Sequence, residues 1–109
     1  MAGRVKRGEV RLVAFPAPDK TRPALVLTRD SALTVLARVT VAPITTTVRG
    51  IPSEVVLTVE DGMKTTCAVN LDNVATIPQR ILGRRVSQLG PDRMRQVCSA
   101  LAFAVGCDA

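Results

Sequence analysis

The sequence predicts a mainly β fold with short helices, an α+β arrangement, formed by one small domain. Short runs rich in valine, isoleucine and threonine are separated by proline, glycine and aspartate, which is typical of strands joined by turns. The segment 91–105 instead repeats its apolar residues every three or four positions, which is typical of a helix. With 109 residues, 47% of them hydrophobic, the chain can bury a single core, and we predict one domain over residues 1–109.

Two strands are predicted to be buried because nearly every residue in them is apolar. The apolar runs are Arg22–Leu27 and Val39–Thr45, which turn signals bound, and the strands are predicted at Pro23–Leu27 and Val35–Ile44. A brief apolar run at Val74–Ile77 follows the strand predicted at Cys67–Leu71. The remaining strands are predicted at Glu9–Phe15, Glu54–Val59, Cys67–Leu71 and Arg85–Leu89.

Two short helical turns are predicted between the strands. Asp30 or Ser31 is expected to cap a turn over residues 31–36, because both side chains can accept a bond from a free backbone N–H. Pro78–Leu82 is expected to form a second short helix, since proline is favoured at the first helical position, with Gly83 ending it.

The final helix has the clearest signals in the chain. Pro91 stands at its start and Gly106 just past its end, the asymmetry that helices favour. Its apolar stripe is predicted to face the core or a subunit interface. The members of that stripe are Met94, Val97, Cys98, Leu101, Ala102 and Val105.

The chain is basic, with 15 Lys and Arg against 9 Asp and Glu and a net charge of +6. Such an excess serves solubility or indicates an anionic partner, of which nucleic acid is the commonest. A membrane partner is not expected, because no long amphipathic helix carries the charges and no apolar stretch approaches a bilayer span. We therefore expect a soluble, cytoplasmic protein.

Histidine is absent and the three cysteines are widely spaced, which bounds the chemistry. Cys67, Cys98 and Cys107 form no CxxC pair, and no histidine can complete a zinc site, so no metal or cofactor is predicted. The thiols are expected to be reduced and partly buried. A bond between Cys98 and Cys107 is conceivable but has no support in the sequence.

Arg22 and Thr45 are the best candidates for catalysis, because each lies at the end of an apolar run. If the two strands lie side by side, both side chains reach one phosphate. RNA carries a 2′-hydroxyl beside each phosphate and supplies its own nucleophile, so the protein needs only to stabilise charge and hold oxygens. A planar guanidinium suits the first task and a hydroxyl the second.

At these same residues the chain resembles the MazF/PemK (Kid) family of toxin endoribonucleases. The similar segments keep the family order along nearly the whole chain, and their order and spacing make the resemblance specific. They are Lys6–Val10, Arg22–Leu27, Val41–Thr45, Pro52–Leu57, Asn70–Val74, Leu82–Val86 and Leu89–Pro91 with the closing helix.

The resemblance implies a small, partly open SH3-like β-barrel of the plasmid-maintenance toxin type with a C-terminal helix. It implies a homodimer that cuts single-stranded RNA sequence-selectively and without metal, leaving a 2′,3′-cyclic phosphate and a 5′-hydroxyl. It also implies growth inhibition, relieved by a cognate antitoxin with an acidic C-terminal tail. By residue match Arg22 is the catalytic arginine and Thr45 its partner, and whether Arg22 exchanges a proton or only stabilises charge stays open.

Two departures from the family pattern affect the expected site. The family has a longer first loop with a Gly-Ser-Glu-Gln stretch, whereas Phe15–Thr21 is short and lacks that glutamate. A mechanism that needs this carboxylate is therefore weakened, and Asp19 or Lys20 is expected to take a different role. Asn73 stands where the family usually has glutamine, a change expected to alter base readout.

Further polar residues are predicted to contact RNA, although each also has a structural interpretation. Amides and carboxylates can read base edges or cap turns, and the residues after Thr45 form either an RNA-proximal loop or an ordinary hairpin. Arg80, Arg84 and Arg85 contact phosphate or an acidic peptide, or form a solvated face. The predicted RNA contacts are Lys20, Arg29, Thr46, Thr47, Arg49, Asn70, Asp72 and Asn73.

Two other functions fit the same fold. A CcdB-like gyrase poison depends on a C-terminal segment containing tryptophan, and this chain has none. A plain RNA-binding module normally stacks bases on aromatic rings, and the chain has only two phenylalanines. Both alternatives are therefore weaker than the nuclease.

Overall fold

In a computed structural model that describes residues 4–15 and 20–107, seven antiparallel strands form one open sheet on which a C-terminal helix packs. The strands are β1 (Glu9–Ala14), β2 (Thr21–Val26), β3 (Arg38–Thr45), β4 (Glu54–Leu57), β5 (Cys67–Asn70), β6 (Ala75–Pro78) and β7 (Leu82–Gln88). The helices are α1 (Asp30–Leu33) and α2 (Pro91–Ala104), with 3-10 turns at Val59–Asp61, Leu71–Asn73 and Gln79–Ile81.

The sheet runs in the order β4-β5-β3-β2-β1-β7, with β6 paired to β3 beside this path. The long strand β3 pairs with β2, β5 and β6 along different parts of its length, which bends the sheet around its own core. In this order β4 and β7 are the two edges, so the sheet stays open. The predicted mainly β, partly open fold with a C-terminal helix is confirmed.

Strand β2 lies between two apolar clusters. Ala24, Leu25 and Val26 are all fully buried, because alternate side chains point to opposite faces and both faces are covered. Leu25 belongs to the larger cluster, which includes Leu57 of β4. Ala24 and Val26 belong to the second, which α1 and β6 help to close. Burial on both faces explains why the sequence of β2 is continuously apolar.

Helix α2 begins and ends as predicted, but its buried face differs from the predicted one. Pro91 occupies the first turn, and Gly106 follows the helix with φ +75°. The buried residues are Met94, Val97 and Ala100, because the helix packs on β4 and on the 71–73 turn. The inclusion of Cys98, Ala102 and Val105 in the buried stripe was therefore wrong in part: Cys98 and Val105 are exposed and Ala102 is half-buried.

The cysteines also differ from expectation in their exposure. All three are free thiols, as predicted, but only Cys67 is buried, whereas Cys98 and Cys107 are exposed. The Arg7 guanidinium lies 3.1 Å from the Cys98 sulfur, which places this thiol on the outer side of α2.

Two predicted boundaries were wrong for reasons of hydrogen bonding. Strand β3 begins at Arg38 rather than Val35, because the N–H groups of Val35 and Leu36 donate to the Ala32 carbonyl and extend the α1 turn. The strand β4 ends at Leu57, since a 3-10 turn capped by Thr58 follows it.

Gly83 was predicted to end a helix but lies inside β7. The helix itself shrinks to a 3-10 turn at Gln79–Ile81, with Pro78 before it as the last residue of β6. A Cβ atom at position 83 would lie 2.9 Å from the Leu12 carbonyl oxygen. Glycine is needed there because β1 and β7 approach closely at an irregular part of their pairing.

Candidate active site at the β2–β3 end

Arg22 and Thr45 lie at the same end of two neighbouring strands. Strands β2 and β3 pair antiparallel with Ala24 opposite Pro43, so the beginning of β2 is beside the finish of β3. Counting two residues outward from that pair reaches Arg22 on one strand and Thr45 on the other. We call this place the β2–β3 end.

Arg22 lines a cavity of about 310 Å³ together with Phe15, Pro43, Asn73 and Ala75. The arginine is half-buried, while Asn73 is exposed at the close of the 3-10 turn that follows β5. The structure therefore brings Asn73, a predicted RNA contact, to the same cavity as the predicted catalytic arginine. An amide beside a guanidinium gives this cavity two kinds of hydrogen-bond donor for oxygen ligands.

The Thr45 hydroxyl is held in place by the chain that follows it. Its Oγ1 accepts a hydrogen bond of 3.0 Å from the Thr47 N–H. This bond occupies one lone pair and leaves the hydroxyl proton available to donate to a phosphate oxygen. Thr45 lines a second cavity, of about 320 Å³, whose lining also includes Thr46.

The two cavities flank the β2–β3 end. Arg22 and Pro43 line the first, whereas their chain neighbours Pro23 and Ile44 line the second. Arg22 and Thr45 each lie two residues from the Ala24–Pro43 pair, so strand alternation directs both side chains to the same face of the strand pair. A single extended strand of nucleic acid that crosses this end would meet both.

Asn70 and Asp72 have structural partners within the fold. The Asn70 side chain accepts a bond of 3.0 Å from the Asp72 N–H and so caps the 3-10 turn. The Asp72 carboxylate accepts a hydrogen bond from the buried Ser53 hydroxyl. These contacts favour the turn-capping interpretation of both residues, in contrast to Asn73.

The loop after β3 is also internally bonded. The Glu54 carboxylate accepts bonds from the N–H groups of Arg49 and Gly50, at 3.0 and 3.2 Å. The side chains of Thr46, Thr47 and Arg49 are exposed on this loop, next to Thr45. They are therefore accessible beside Thr45, and their contact with RNA stays a prediction.

Lys20 and Arg29 have different relations to the site. Lys20 is exposed just before β2 and so lies close to Arg22 along the chain. Arg29 follows the opposite end of β2 and lines another cavity, with Leu36 and Leu101. Within one protomer the structure does not bring Arg29 to the β2–β3 end. Asp19 lies outside the described residues.

Sequence reasoning missed the turn that forms one wall of the Thr45 cavity. Met63, Lys64 and Thr65 all line it, with Arg84 of β7. The turn has no recognisable motif, and the signal that could have indicated it is a lone lysine between two strands. Arg84 had been considered as a phosphate contact among several arginines.

Asp61, which precedes that turn, is hydrogen-bonded to three other residues. Its carboxylate accepts bonds of 3.0 Å from Nε and Nη2 of Arg93 and 2.9 Å from the Thr58 N–H, and its carbonyl accepts from the Ser87 hydroxyl. Hydrogen bonding to Arg93 lowers the pKa of Asp61, and the same pair raises the pKa of Arg93. Burial, and to a lesser extent the charge of Asp61, raises the pKa of the Cys67 thiol.

The other carboxylates of the described residues are dispersed, and that of Glu9 is paired. Glu9 is buried, and its carboxylate contacts Arg11 at 3.0 Å and Arg85 at 3.7 Å. Within residues 4–15 and 20–107, His, Cys, Asp and Glu form no group of three or more that could hold a metal ion. Across the same residues, no helix is both long and apolar enough to cross a membrane.

Fold and site together define a class of protein: a small, basic, open β-sheet whose strand ends carry groups suited to phosphate. A family model described as the PemK-like, MazF-like toxin of type II toxin-antitoxin systems matches residues 6–105. The chain belongs to this family.

The similar proteins include three from mycobacteria. The chain is 40% identical over 104 residues to a probable endoribonuclease MazF2 of Mycobacterium tuberculosis, covering 94% of this chain and 100% of that one. The structure of the M. tuberculosis toxin MazF-mt6 matches with a TM-score of 0.84 and 37% identity over 93% of this chain and 99% of that one. A mycobacterial endoribonuclease in complex with its cognate antitoxin matches with a TM-score of 0.85 and 28% identity, covering 96% and 98%. The predicted MazF/PemK membership is confirmed.

Proposed function

We propose that this chain is a metal-independent, sequence-selective endoribonuclease that cleaves single-stranded RNA. The observation that carries the proposal is the location of Arg22 and Thr45 at one end of the paired strands β2 and β3. Its relatives are named endoribonucleases, and the chain covers almost all of their length. The net charge of +6 favours the same kind of substrate.

Cleavage begins when the ribose 2′-oxygen attacks the adjacent phosphorus. The P–O5′ bond then breaks, so one product ends in a 2′,3′-cyclic phosphate and the other in a 5′-hydroxyl. The attacking hydroxyl gives up its proton to water and the departing oxygen takes one from water, because the β2–β3 end is open to solvent. Arg22 binds two non-bridging oxygens and stabilises the charge that grows on them. Thr45 donates its proton to one of these oxygens and so aligns the phosphate.

The active form is proposed to be a homodimer in the cytoplasm, with residues 1–109 of each copy as one domain. Val35 is 77% exposed and Leu36 is 51% exposed, next to the cavity lined by Val74 and Leu101. An exposed apolar surface of this kind favours burial against a second copy of the chain. The dimer would also bring residues such as Arg29 toward a shared RNA path.

We further propose that the nuclease acts as a growth-inhibiting toxin, neutralised by a cognate antitoxin with an acidic C-terminal tail. The relative solved with its antitoxin supports such a partner. An acidic tail complements the basic surface of this chain and competes with RNA for it.

The test uses purified protein, EDTA and a labelled single-stranded RNA that contains the preferred site. A matched RNA carries one 2′-deoxy sugar before the scissile phosphate and is otherwise identical. We expect cleavage of the first RNA, with a 2′,3′-cyclic phosphate at the new end, and none of the second. Cutting of the 2′-deoxy strand at that position, or a need for added metal, would contradict the proposed chemistry. Intact RNA together with trapped gyrase–DNA breaks would instead support the CcdB-like alternative.

A further inference from the structure

The cavity beside Thr45 has an apolar floor and a basic rim. Leu12, Ile44, Met63 and Val86 contribute aliphatic or thioether surface to its lining. Lys64 and Arg84 line the same cavity and are exposed. An apolar recess edged by cations suits a ligand that is flat and apolar in one part and anionic in another.

Neither of these cations has a side-chain partner in the part of the chain that the structure describes. Among the residues that the structure describes, Lys64 and Arg84 take part in no ion pair or side-chain hydrogen bond, whereas their neighbours do. Arg85, next in the chain, pairs with the buried Glu9, and Arg93 pairs with Asp61. The rim charges are therefore available to an external anion.

The turn that precedes Lys64 is tied to two other elements of the fold. Asp61 joins this 3-10 turn to α2 through Arg93 and to β7 through Ser87. Gly62 then adopts φ +88°, and a Cβ atom there would lie 2.6 Å from the Ser87 hydroxyl oxygen. A turn tied in this way loses little conformational entropy on binding, which favours specific recognition.

We propose that this cavity is a nucleobase slot for the nucleotide next to the scissile phosphate, with Lys64 and Arg84 binding the phosphates on either side of it. The inference rests on the proposed function, because it takes RNA as the ligand and Thr45 as the residue at the scissile phosphate. The apolar floor of the cavity packs against the face of the base. Thr46 and Thr65 also line the cavity, and their hydroxyls form hydrogen bonds with the edge of the base. The slot thus contributes to sequence selectivity at one position.

Charge decides between RNA and an acidic peptide as the occupant. A nucleotide has phosphates on both sides of each base, which matches cations from two separate elements, the 63–65 turn and β7. A peptide that filled the apolar floor with a side chain would place acidic groups at the rim only where its sequence supplied them. The periodic charge of the RNA backbone is therefore the better match.

Binding is measured first, on a single-stranded RNA pool in which every 2′-hydroxyl is replaced by fluorine, because such a strand cannot be cleaved at any position. Lys64→Ala and Arg84→Ala are each expected to weaken binding about 3- to 10-fold, and to lower the slope of log K against log salt by about one unit. Arg95→Ala removes an exposed arginine of α2 that pairs with Asp92 and serves as the matched control. It is expected to leave both values unchanged.

Base selectivity is measured second, from the ends of fragments cut from a randomised RNA pool. Thr65→Phe narrows the slot and is expected to change the preferred base at one position of the cleavage site. Ser99→Phe, at an exposed serine of α2, is the control and is expected to keep the wild-type pattern.

Unchanged binding, salt slope and base preference in all three slot variants would overturn the inference. Normal RNA binding combined with lost inhibition by the antitoxin would also overturn it and assign the cavity to a peptide. Because the first measurement needs no cleavage, the two proposals can fail separately. If the wild-type chain cuts no RNA but binds it more tightly than the slot variants do, the slot is supported and the nuclease function is contradicted.

Discussion

The Asp61 cluster and the rim of the Thr45 cavity are close in the fold but differ in what satisfies their polar groups. Asp61 accepts from Arg93, Thr58 and Ser87, all within the chain. Lys64, three residues later, has no such partner among the described residues. The hydrogen bonds of Asp61 stabilise the fold, whereas the charge of Lys64 is accessible to a ligand.

The same contrast separates neighbouring residues of the turn after β5. Asp72 is engaged by Ser53 and Asn70, but Asn73 faces the Arg22 cavity. Neighbouring polar residues of one short turn thus have different roles: Asp72 stabilises the fold, and Asn73 lines the candidate site. Variants of the two kinds are therefore expected to fail in different assays.

The largest effect is expected from Arg22→Ala. Loss of the guanidinium removes the main stabilisation of phosphorane charge, and RNA cleavage should fall by about 10²- to 10³-fold or more. The melting temperature should stay near that of the wild type, and Arg95→Ala should cleave within twofold of it. Single-turnover cleavage and thermal unfolding measure the two. Cleavage by Arg22→Ala at the wild-type rate and with the wild-type fragment ends would refute the residue assignment.

Asp61→Ala should give the opposite pattern. It breaks the paired carboxylate and the cap at Thr58, so the free energy of unfolding should fall by about 2–4 kcal/mol. Cleavage per folded molecule should fall much less than in Arg22→Ala. Urea unfolding with parallel activity measurements tests this. A variant as stable as wild type would show that the Asp61 cluster does not hold the fold.

The pH dependence of stability sharpens the role of Asp61. Pairing with Arg93 lowers its pKa below the ordinary 3.8, so the folded state favours the charged carboxylate. This contribution is fully present above pH 3.8 and is lost as the pH falls through the lower, folded-state pKa. Urea unfolding of wild type and Asp61→Asn from pH 6 downward should therefore show a stability difference that shrinks below about pH 4. A difference independent of pH would contradict this linkage.

The smallest effect is expected from Asp72→Ala. It removes the acceptor of the Ser53 hydroxyl and should cost about 1 kcal/mol of stability. Base preference in RNA cleavage should stay unchanged, whereas Asn73→Ala should alter it. Fragment-end mapping compares the two variants directly. A changed preference in Asp72→Ala would restore the base-reading interpretation of that residue.

Most of the fold could be predicted because local signals were consistent with the packing. Pro91 and Gly106 marked both ends of α2, and the apolar run of Pro23–Leu27 marked the central strand. The errors came from close contacts that no local pattern shows. Gly83 was interpreted as a helix end, but its role is to let β7 approach the Leu12 carbonyl.

The candidate site was predictable only in part, for a related reason. Arg22 and Thr45 each end an apolar run, so a sequence pattern indicated them, and the β2–β3 pairing then placed them together. Lys64 and Arg84 are separated by twenty positions and meet only because the 63–65 turn lies beside β7. Their role depends on which cations the fold leaves unpaired, which sequence periodicity does not report.

The aliphatic core has a practical consequence for studying RNA complexes. With no tryptophan or tyrosine, the chain is almost transparent in the near ultraviolet. Absorbance at those wavelengths in a mixture therefore reports the nucleic acid alone. A single tryptophan introduced beside the cavity of Thr45 would be an unambiguous fluorescent reporter of occupancy.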